Sequence, residues 1–209
     1  MSAGVSTGVR ASEDGAAGDA GDDLLADAAH SVEVLDSDVV FDGKVWDIRR
    51  ERFAYGDVTL VREFMEHPGA VAVLVMDEAE RVLLIQQYRH PIQARDWEMP
   101  AGLLDIEGED PLVAAQRELA EEVDLVAEHW EPLLTLHTSP GGSDEVITIY
   151  LATGLSPTEE AFAREAEELD MTLRWAPLDE AVDAVLAGRV RNGILIAAVL
   201  AAHARRTRS

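Results

Sequence analysis

The segment that decides the fold, residues 102–125, reads GLLDIEGEDPLVAAQRELAEEVDL. Asp110 is suited to cap a helix and Pro111 to occupy its first position, so we predict a helix from about Asp110 to Val123. Four apolar residues fall on one stripe of this helix at about 100° per residue: Leu112, Ala115, Leu119 and Val123. That stripe predicts the buried face.

Two carboxylates of this helix flank its apolar stripe, and a third lies close by. Glu118 and Glu122 are one turn apart, Glu122 points almost where Ala115 does, and Glu121 lies farther round. Like charges at this spacing repel by a few tenths of a kcal/mol, and partial burial adds to the cost. A divalent cation would remove the repulsion, and Mg²⁺ uses few carboxylates when it also binds a phosphate. In a chain with 41 Asp and Glu, an ordinary solvated acidic helix fits the spacing equally well.

The overall composition excludes several classes of function. The chain has 209 residues, enough for one domain with an appendage, and 47% of them are hydrophobic. A net charge of −24 repels nucleic acids and anionic membranes, so we expect neither as a partner. The lack of cysteine excludes disulfides and thiol chemistry and weakens any zinc interpretation.

The N-terminal segment, residues 1–30, is rich in Ala, Gly, Ser and Asp, and we predict a disordered acidic tail. The sequence shows no basic segment followed by an apolar one and no apolar run long enough to span a bilayer. We therefore expect a cytoplasmic protein.

Residues 31–67 predict a small antiparallel β-domain. Ser31–Val40, Lys44–Phe53 and Thr59–Glu66 have the composition of strands, and Asp42-Gly43 and Tyr55-Gly56-Asp57 separate them. Three short strands cannot bury a core alone, so they must pack on the main domain or on a second subunit.

Residues 68–205 predict a larger α/β domain. We interpret Val71–Met76 and Val82–Ile85 as a hairpin whose strands are buried on both faces, and Pro157–Glu168 as a charged loop or partial helix. Further strands are predicted at Trp130–Thr138, Val146–Ala152 and Met171–Trp175, and helices at Leu178–Ala187 and Gly193–Arg205. This order favours an α/β/α sandwich on a mixed sheet.

The helix and the loop before it resemble a Nudix box. The matching residues are Gly102, Glu109, Arg117, Glu118, Leu119, Glu121, Glu122 and Leu125. The sequence departs from the box twice: six residues, not five, separate Gly102 from Glu109, and Asp124 replaces the closing glycine. Asp tolerates the φ > 0 that a helix end often needs, at a cost of roughly 1 kcal/mol against Gly. The resemblance implies a Nudix-type α/β/α sandwich.

Within the family, the chain resembles bacterial ADP-ribose pyrophosphatases of the actinobacterial type. Pro140 lies sixteen residues beyond Asp124, the loop Ser139–Glu145 matches their substrate loop, and residues 167–171 match the acidic segment that carries their base. Their N-terminal β-domain exchanges between subunits, which implies a homodimer here. Each feature alone also fits a structural role, since Pro-Gly-Gly forms turns and acidic runs are usually solvated.

The resemblance implies the following roles. Glu118 and Glu122 would hold Mg²⁺, or Mn²⁺, with Glu121 and the backbone carbonyl of Ala101 as further ligands. Glu168, or its neighbour Glu167, would remove the proton from the attacking water, and Glu121 would share in catalysis. Three residues would be structural within the box: Gly102, Glu109 and Arg117. Seven would bind substrate, with Trp46 of this chain or of a partner stacking on adenine: Trp46, Arg62, Arg89, Glu98, Ser139, Pro140 and Glu145.

The implied reaction is hydrolysis of ADP-ribose to AMP and ribose 5-phosphate. Another nucleoside diphosphate derivative, such as a nucleotide sugar, NADH or a dinucleoside polyphosphate, is an alternative substrate. A nucleotide sensor without activity is a third interpretation, which Asp124 favours and the retained carboxylates oppose.

Overall fold

A computed structural model describes residues 25–159 and 170–208. Within them the strands are β1 (Val34–Phe41), β2 (Asp47–Tyr55), β3 (Val58–Glu66), β4 (Ala70–Val75), β5 (Arg81–Arg89), β6 (Ala94–Glu98), β7 (Ala101–Leu103), β8 (Leu125–His137), β9 (Val146–Pro157) and β10 (Thr172–Pro177). The helices are α1 (Pro111–Val123), α2 (Leu178–Leu186) and α3 (Gly193–Arg206), with a short 3₁₀ turn at His90–Ile92. Glu33–Ser209 form one compact unit. Most of the predicted acidic tail lies outside the described residues, and residues 25–30 are irregular and exposed.

The N-terminal sheet is an antiparallel meander in the order β1-β2-β3. It confirms the predicted antiparallel strands, with ends displaced by a few residues. Gly56, with φ of +59°, makes the turn between β2 and β3, where glycine adopts a left-handed conformation without strain. Several apolar side chains of this sheet are exposed, including Phe41 at 62% and Val58 at 56%.

The centre of the fold contains two further sheets. One is mixed, in the order β7-β4-β9-β8 with β4 parallel to β9, and the other is antiparallel, in the order β10-β5-β6. The predicted hairpin of β4 and β5 is therefore wrong: beyond a single bridge between Met76 and Val82, the two strands belong to different sheets. Both strands are apolar on both faces, so the sequence pattern could not specify which neighbours they pair with.

Successive residues of β4 pack on opposite sides of the sheet. Ala70, Ala72 and Leu74 join the cluster that includes residues of α2 and α3. Val71, Val73 and Val75 join the cluster that includes residues of α1. Helices therefore cover both faces, which explains the continuous apolar run and confirms the predicted α/β/α sandwich.

Helix α1 begins and ends as its sequence predicts. The Asp110 carboxylate accepts a hydrogen bond from the Leu112 N–H at 2.8 Å, and Pro111 occupies the first turn. Asp124 closes the helix with φ of 57°. On the inner face, Ala115 and Leu119 are fully buried. The predicted helices at the C-terminus are also confirmed, whereas most of the Pro157–Glu168 segment lies outside the described residues.

Candidate active site

Glu118 and Glu122 of α1 lie against the same dipeptide, Ala101-Gly102, at the start of β7. The Glu122 side chain points inward with Ala115, so this residue is only 7% exposed, and its Oε2 accepts a hydrogen bond from the Ala101 N–H at 3.0 Å. A Cβ at Gly102 would lie 2.0 Å from Glu118 Oε1. The Glu118 carboxylate therefore occupies space that only glycine leaves open.

Arg117 neutralises much of the negative charge around this pair. Its guanidinium donates to both carboxylate oxygens of Glu109, at 3.2 and 3.0 Å, and to Glu118 at 2.6 Å and Glu121 at 3.2 Å. The hydrogen bonds from Arg117 hold the pKa of Glu109 below its ordinary value, and those to Glu109 are the main cause that raises the pKa of Arg117. Arg117 thereby fixes the loop before α1 to the helix.

The arrangement fits a divalent cation that takes few ligands from the protein. The Glu118 and Glu122 carboxylates supply hard oxygen donors beside one backbone segment, which suits Mg²⁺ because that ion keeps waters and substrate oxygens as its other ligands. In residues 25–159 and 170–208, no three acidic, histidine or cysteine side chains are grouped as a metal site. Glu121, with its side chain 43% exposed, is held by Arg117. The contact seen at Ala101 is through its N–H, so the ligand roles of Glu121 and the Ala101 carbonyl stay predictions.

A cleft of about 480 Å³ opens beside Ala101-Gly102. Four of the predicted substrate residues line it together: Trp46, Arg89, Glu98 and Glu145. The volume lies in the range of pockets that hold small molecules. Ala101-Gly102 thus contacts the Glu118 and Glu122 carboxylates and also lines the cleft.

Arg89 and Glu98 form one bidentate pair on the wall of the cleft. Arg89 donates to the two oxygens of Glu98 at 2.9 and 2.7 Å, and the Gln87 side-chain amide lies 3.4 Å from the same carboxylate. The Glu98 side chain is only 8% exposed, whereas that of Arg89 is 45% exposed. Arg89 therefore keeps an accessible edge while its orientation is fixed by a buried carboxylate.

Three other predicted substrate residues do not line the cleft of this chain. Arg62 is exposed on β3 and donates to the Val61 carbonyl at 2.8 Å. Ser139 and Pro140 are exposed at the start of the loop, where the Ser139 carbonyl accepts the N–H groups of Gly142 and Ser143 at 2.9 Å. Their substrate roles stay predictions.

Two residues that the sequence gave no reason to select connect this loop to the N-terminal sheet. Ser143 is buried, and its hydroxyl donates to the Met65 carbonyl at 3.2 Å. The His67 ring stacks on Trp46 with centroids 4.5 Å apart, and its Nε2 lies 3.6 Å from Glu145 Oε1. Since the Gly69 N–H donates to Nδ1, the neutral ring carries its proton on Nε2, toward Glu145. In the sequence, His67 is only the last residue of the predicted N-terminal β-domain.

Glu167 and Glu168, the predicted base, lie outside the described residues. Asp170, two positions after Glu168 in the sequence, is ion-paired with Arg95 of β6. β6 is also the strand that carries Glu98 into the cleft.

Comparison with known proteins supplies the context for this site. The family described as "NUDIX domain" matches residues 65–198. An ADP-ribose pyrophosphatase of Mycobacterium tuberculosis is 45% identical over 178 residues, which cover 85% of this chain and 86% of that protein. A methanol dehydrogenase activator of Bacillus methanolicus is 40% identical over 68% of this chain and 75% of its own length. A solved structure described as an ADP compounds hydrolase shares the fold, with a TM-score of 0.70 at 20% identity over 85% of this chain and 95% of that one.

Proposed function

This chain belongs to the Nudix family of hydrolases, and from that premise we propose that it hydrolyses the diphosphate bond of ADP-ribose to give AMP and ribose 5-phosphate. One observation carries the proposal: Ala101-Gly102 touches the Glu118–Glu122 pair and also lines the cleft. A diphosphate in the cleft would therefore lie next to the carboxylates that can hold a cation. The mycobacterial relative, which bears the name of this activity, supports the choice of substrate.

We assign the metal, Mg²⁺ with Mn²⁺ as a substitute, to Glu118 and Glu122, with Glu121 and the Ala101 carbonyl as further ligands. A divalent cation supplies positive charge against the diphosphate and makes water more acidic. Glu122 is held in place by the Ala101 N–H, and Glu118 by Arg117 and by the space at Gly102. Carboxylates that are already oriented need little rearrangement when substrate arrives, which favours the reaction.

The residues of the cleft would bind the two ends of the substrate. Trp46 is supported from one side by His67 at an interplanar angle of 20°, which leaves a flat aromatic surface suited to adenine. Arg89, fixed by Glu98, can donate to a phosphate, and Glu145 can accept from a ribose hydroxyl. Glu168 remains our proposed base, with Glu167 as the second choice; either would take the proton of the attacking water.

We also propose a homodimer in which the N-terminal sheets exchange between subunits. The exposed apolar side chains of this sheet support it, because they are concentrated on three strands that cannot bury a core alone, and concentrated apolar surface is typical of an interface. Exchange would also give Arg62 a role in the partner's cleft. The described residues contain no helix long and apolar enough to cross a membrane. The lack of cysteine is compatible with a reducing compartment, so a cytoplasmic location is part of the proposal.

The test is a substrate panel with Mg²⁺: ADP-ribose, ADP-glucose, NADH and a dinucleoside tetraphosphate, followed by release of phosphate monoesters. We expect ADP-ribose to have the highest kcat/KM and Glu122→Gln to abolish most turnover. Asp183→Asn, on the exposed side of α2, is the matched control and should behave as the wild type.

A higher kcat/KM for another member of the panel would replace ADP-ribose as the substrate. Binding of nucleotides without any product would instead support a sensor. The B. methanolicus relative, whose name is that of an activator, makes this second outcome worth measuring directly by calorimetry.

A further inference from the structure

Asp96 is a carboxylate in the cleft to which neither the sequence nor the proposed reaction gives a role. It lies on β6 two residues before Glu98, and side chains two apart on a strand point to the same face. On β5, Gln87 lies opposite Asp96 in the antiparallel register, so its side chain shares that face. Asp96 is partly buried and lines the cleft.

The two neighbouring carboxylates on this face differ in their partners. Glu98 accepts hydrogen bonds from Arg89 and Gln87. The Asp96 carboxylate accepts none from residues 25–159 and 170–208. Arg89 and Arg191 act on it only through their charge, and the negative charge of Glu98 opposes its ionisation. Asp96 therefore has free acceptor capacity in the cleft.

The surroundings make the charge of Asp96 less favourable than it is in water. Burial is the main cause that raises the pKa of Asp96 above its ordinary value, and Glu98 adds to the rise. A ligand N–H or O–H placed against the carboxylate would stabilise the charged form by a charge-assisted hydrogen bond. A phosphate at the same place would meet two carboxylates, Asp96 and Glu98, and the cations that offset them among the described residues are Arg89 and Arg191.

We propose that Asp96 is a substrate-recognition residue that accepts a hydrogen bond from a neutral donor of the bound nucleotide, a ribose hydroxyl or the exocyclic amine of the base. Because the same carboxylate repels phosphate, it also excludes nucleotides that carry an additional phosphate at that donor. The inference rests on the proposed function, since it takes a nucleoside diphosphate derivative as the ligand of the cleft.

The experiment compares ADP-ribose with analogues that each lack one donor: unsubstituted purine in place of adenine, 2′- or 3′-deoxyribose on the adenosine side, and 2″- or 3″-deoxyribose on the terminal side. Wild type, Asp96→Ala and Asp96→Asn are assayed, with Asp183→Asn as the control. A hydrogen bond to a charged group contributes enough to change kcat/KM by about 10- to 100-fold. We expect the wild type to have a kcat/KM lower by that factor for one analogue, and the group missing from that analogue identifies the donor.

In Asp96→Ala, kcat/KM for ADP-ribose itself should fall by the same factor, mainly through a higher KM. The difference in kcat/KM between ADP-ribose and that one analogue should then disappear. A 2′-phosphorylated ADP-ribose should be a poor substrate for the wild type and improve relative to ADP-ribose with Asp96→Asn. Asp96→Asn should also keep or raise Tm, because it removes repulsion from Glu98 without removing a hydrogen bond that the fold uses.

Equal analogue penalties in wild type and Asp96→Ala would overturn the inference while leaving the proposed hydrolysis intact. A Tm lowered by several degrees in Asp96→Asn, with unchanged discrimination, would show a structural role and would also overturn it. If the wild type does not turn over ADP-ribose, the proposed function fails. The same series measured as binding by calorimetry then decides the inference, and equal affinities for ADP-ribose in wild type and Asp96→Ala would reject it.

Discussion

Replacing Gly102 with alanine tests whether the position of the Glu118 carboxylate matters for catalysis. The new Cβ would lie 2.0 Å from Oε1, 2.1 Å from Cδ and 2.5 Å from Cγ of Glu118. Ordinary contact begins at 3.4 Å, so the carboxylate must retreat by about 1.4 Å. The main chain at Gly102 is not in the left-handed region, so alanine causes no backbone strain there.

Two effects of this change can be estimated separately. A displacement of about 1 Å in a catalytic group can cost about 100-fold in rate, or about 2.7 kcal/mol of transition-state stabilisation. We therefore expect kcat/KM for ADP-ribose to fall by about 100-fold and half-maximal activity to need more Mg²⁺. Folding stability should change little, because alanine in place of glycine stabilises by about 0.4–1 kcal/mol through the unfolded state and offsets the displaced side chain.

Gly108→Ala is the matched control, since Gly108 lies in the loop before the same helix. Its φ is +78° and no atom lies within 4 Å of the added Cβ. This variant should lose roughly 1 kcal/mol of stability and keep wild-type kinetics. The assay is initial rate against substrate and Mg²⁺ concentration, together with thermal unfolding. Wild-type kcat/KM and Mg²⁺ dependence in Gly102→Ala would refute the assignment of Glu118 as a ligand.

Four further predictions follow from the site and the fold. Glu122→Gln preserves side-chain size and should lower kcat by at least about 100-fold with little change in Tm, measured by single-turnover assay and calorimetry. Arg117 depresses the pKa of Glu109, so this ion pair stabilises the fold fully above pH 4.5, and its contribution is lost as the pH falls below that value. The Tm difference between wild type and Glu109→Gln should therefore shrink as the pH is lowered below 4.5. Glu168→Gln should reduce kcat with KM nearly unchanged, and an unaltered kcat would move the base elsewhere. Phe41→Asp should yield monomers in analytical ultracentrifugation, and an unchanged mass would argue against an interface at this sheet.

Local features of the fold could be predicted because their causes are local. The cap at Asp110 and the left-handed residue at Asp124 depend on side chains within one turn, and the helical period placed Glu122 with the buried Ala115. Strand pairing depends on distant residues. β4 and β5 are apolar on both faces, so their hydrophobic pattern does not indicate that they belong to different sheets.

The strand β6 shows why part of the site could not be predicted. Three of its five residues are charged, so it has neither the alternating nor the continuous apolar pattern that predicts a strand. It nevertheless brings Asp96, which the sequence analysis did not select, into the cleft beside the predicted Glu98. The selection of Trp46 required a family resemblance, and its stacking on His67 depends on a contact between residues that are far apart in sequence.

The four contacts of Arg117 have a consequence for how the proposed metal site would exchange its ion. The Arg117 guanidinium is a permanent counter-ion for Glu109, Glu118 and Glu121. These side chains therefore stay together in the metal-free protein without cations from the solvent. An incoming cation gains less than it would from bare carboxylates, because Glu118 is shared with a guanidinium that never loses its proton. We therefore expect the metal site to be occupied mainly while the diphosphate is bound. The nucleotide and the ion would then bind together and dissociate together in each turnover.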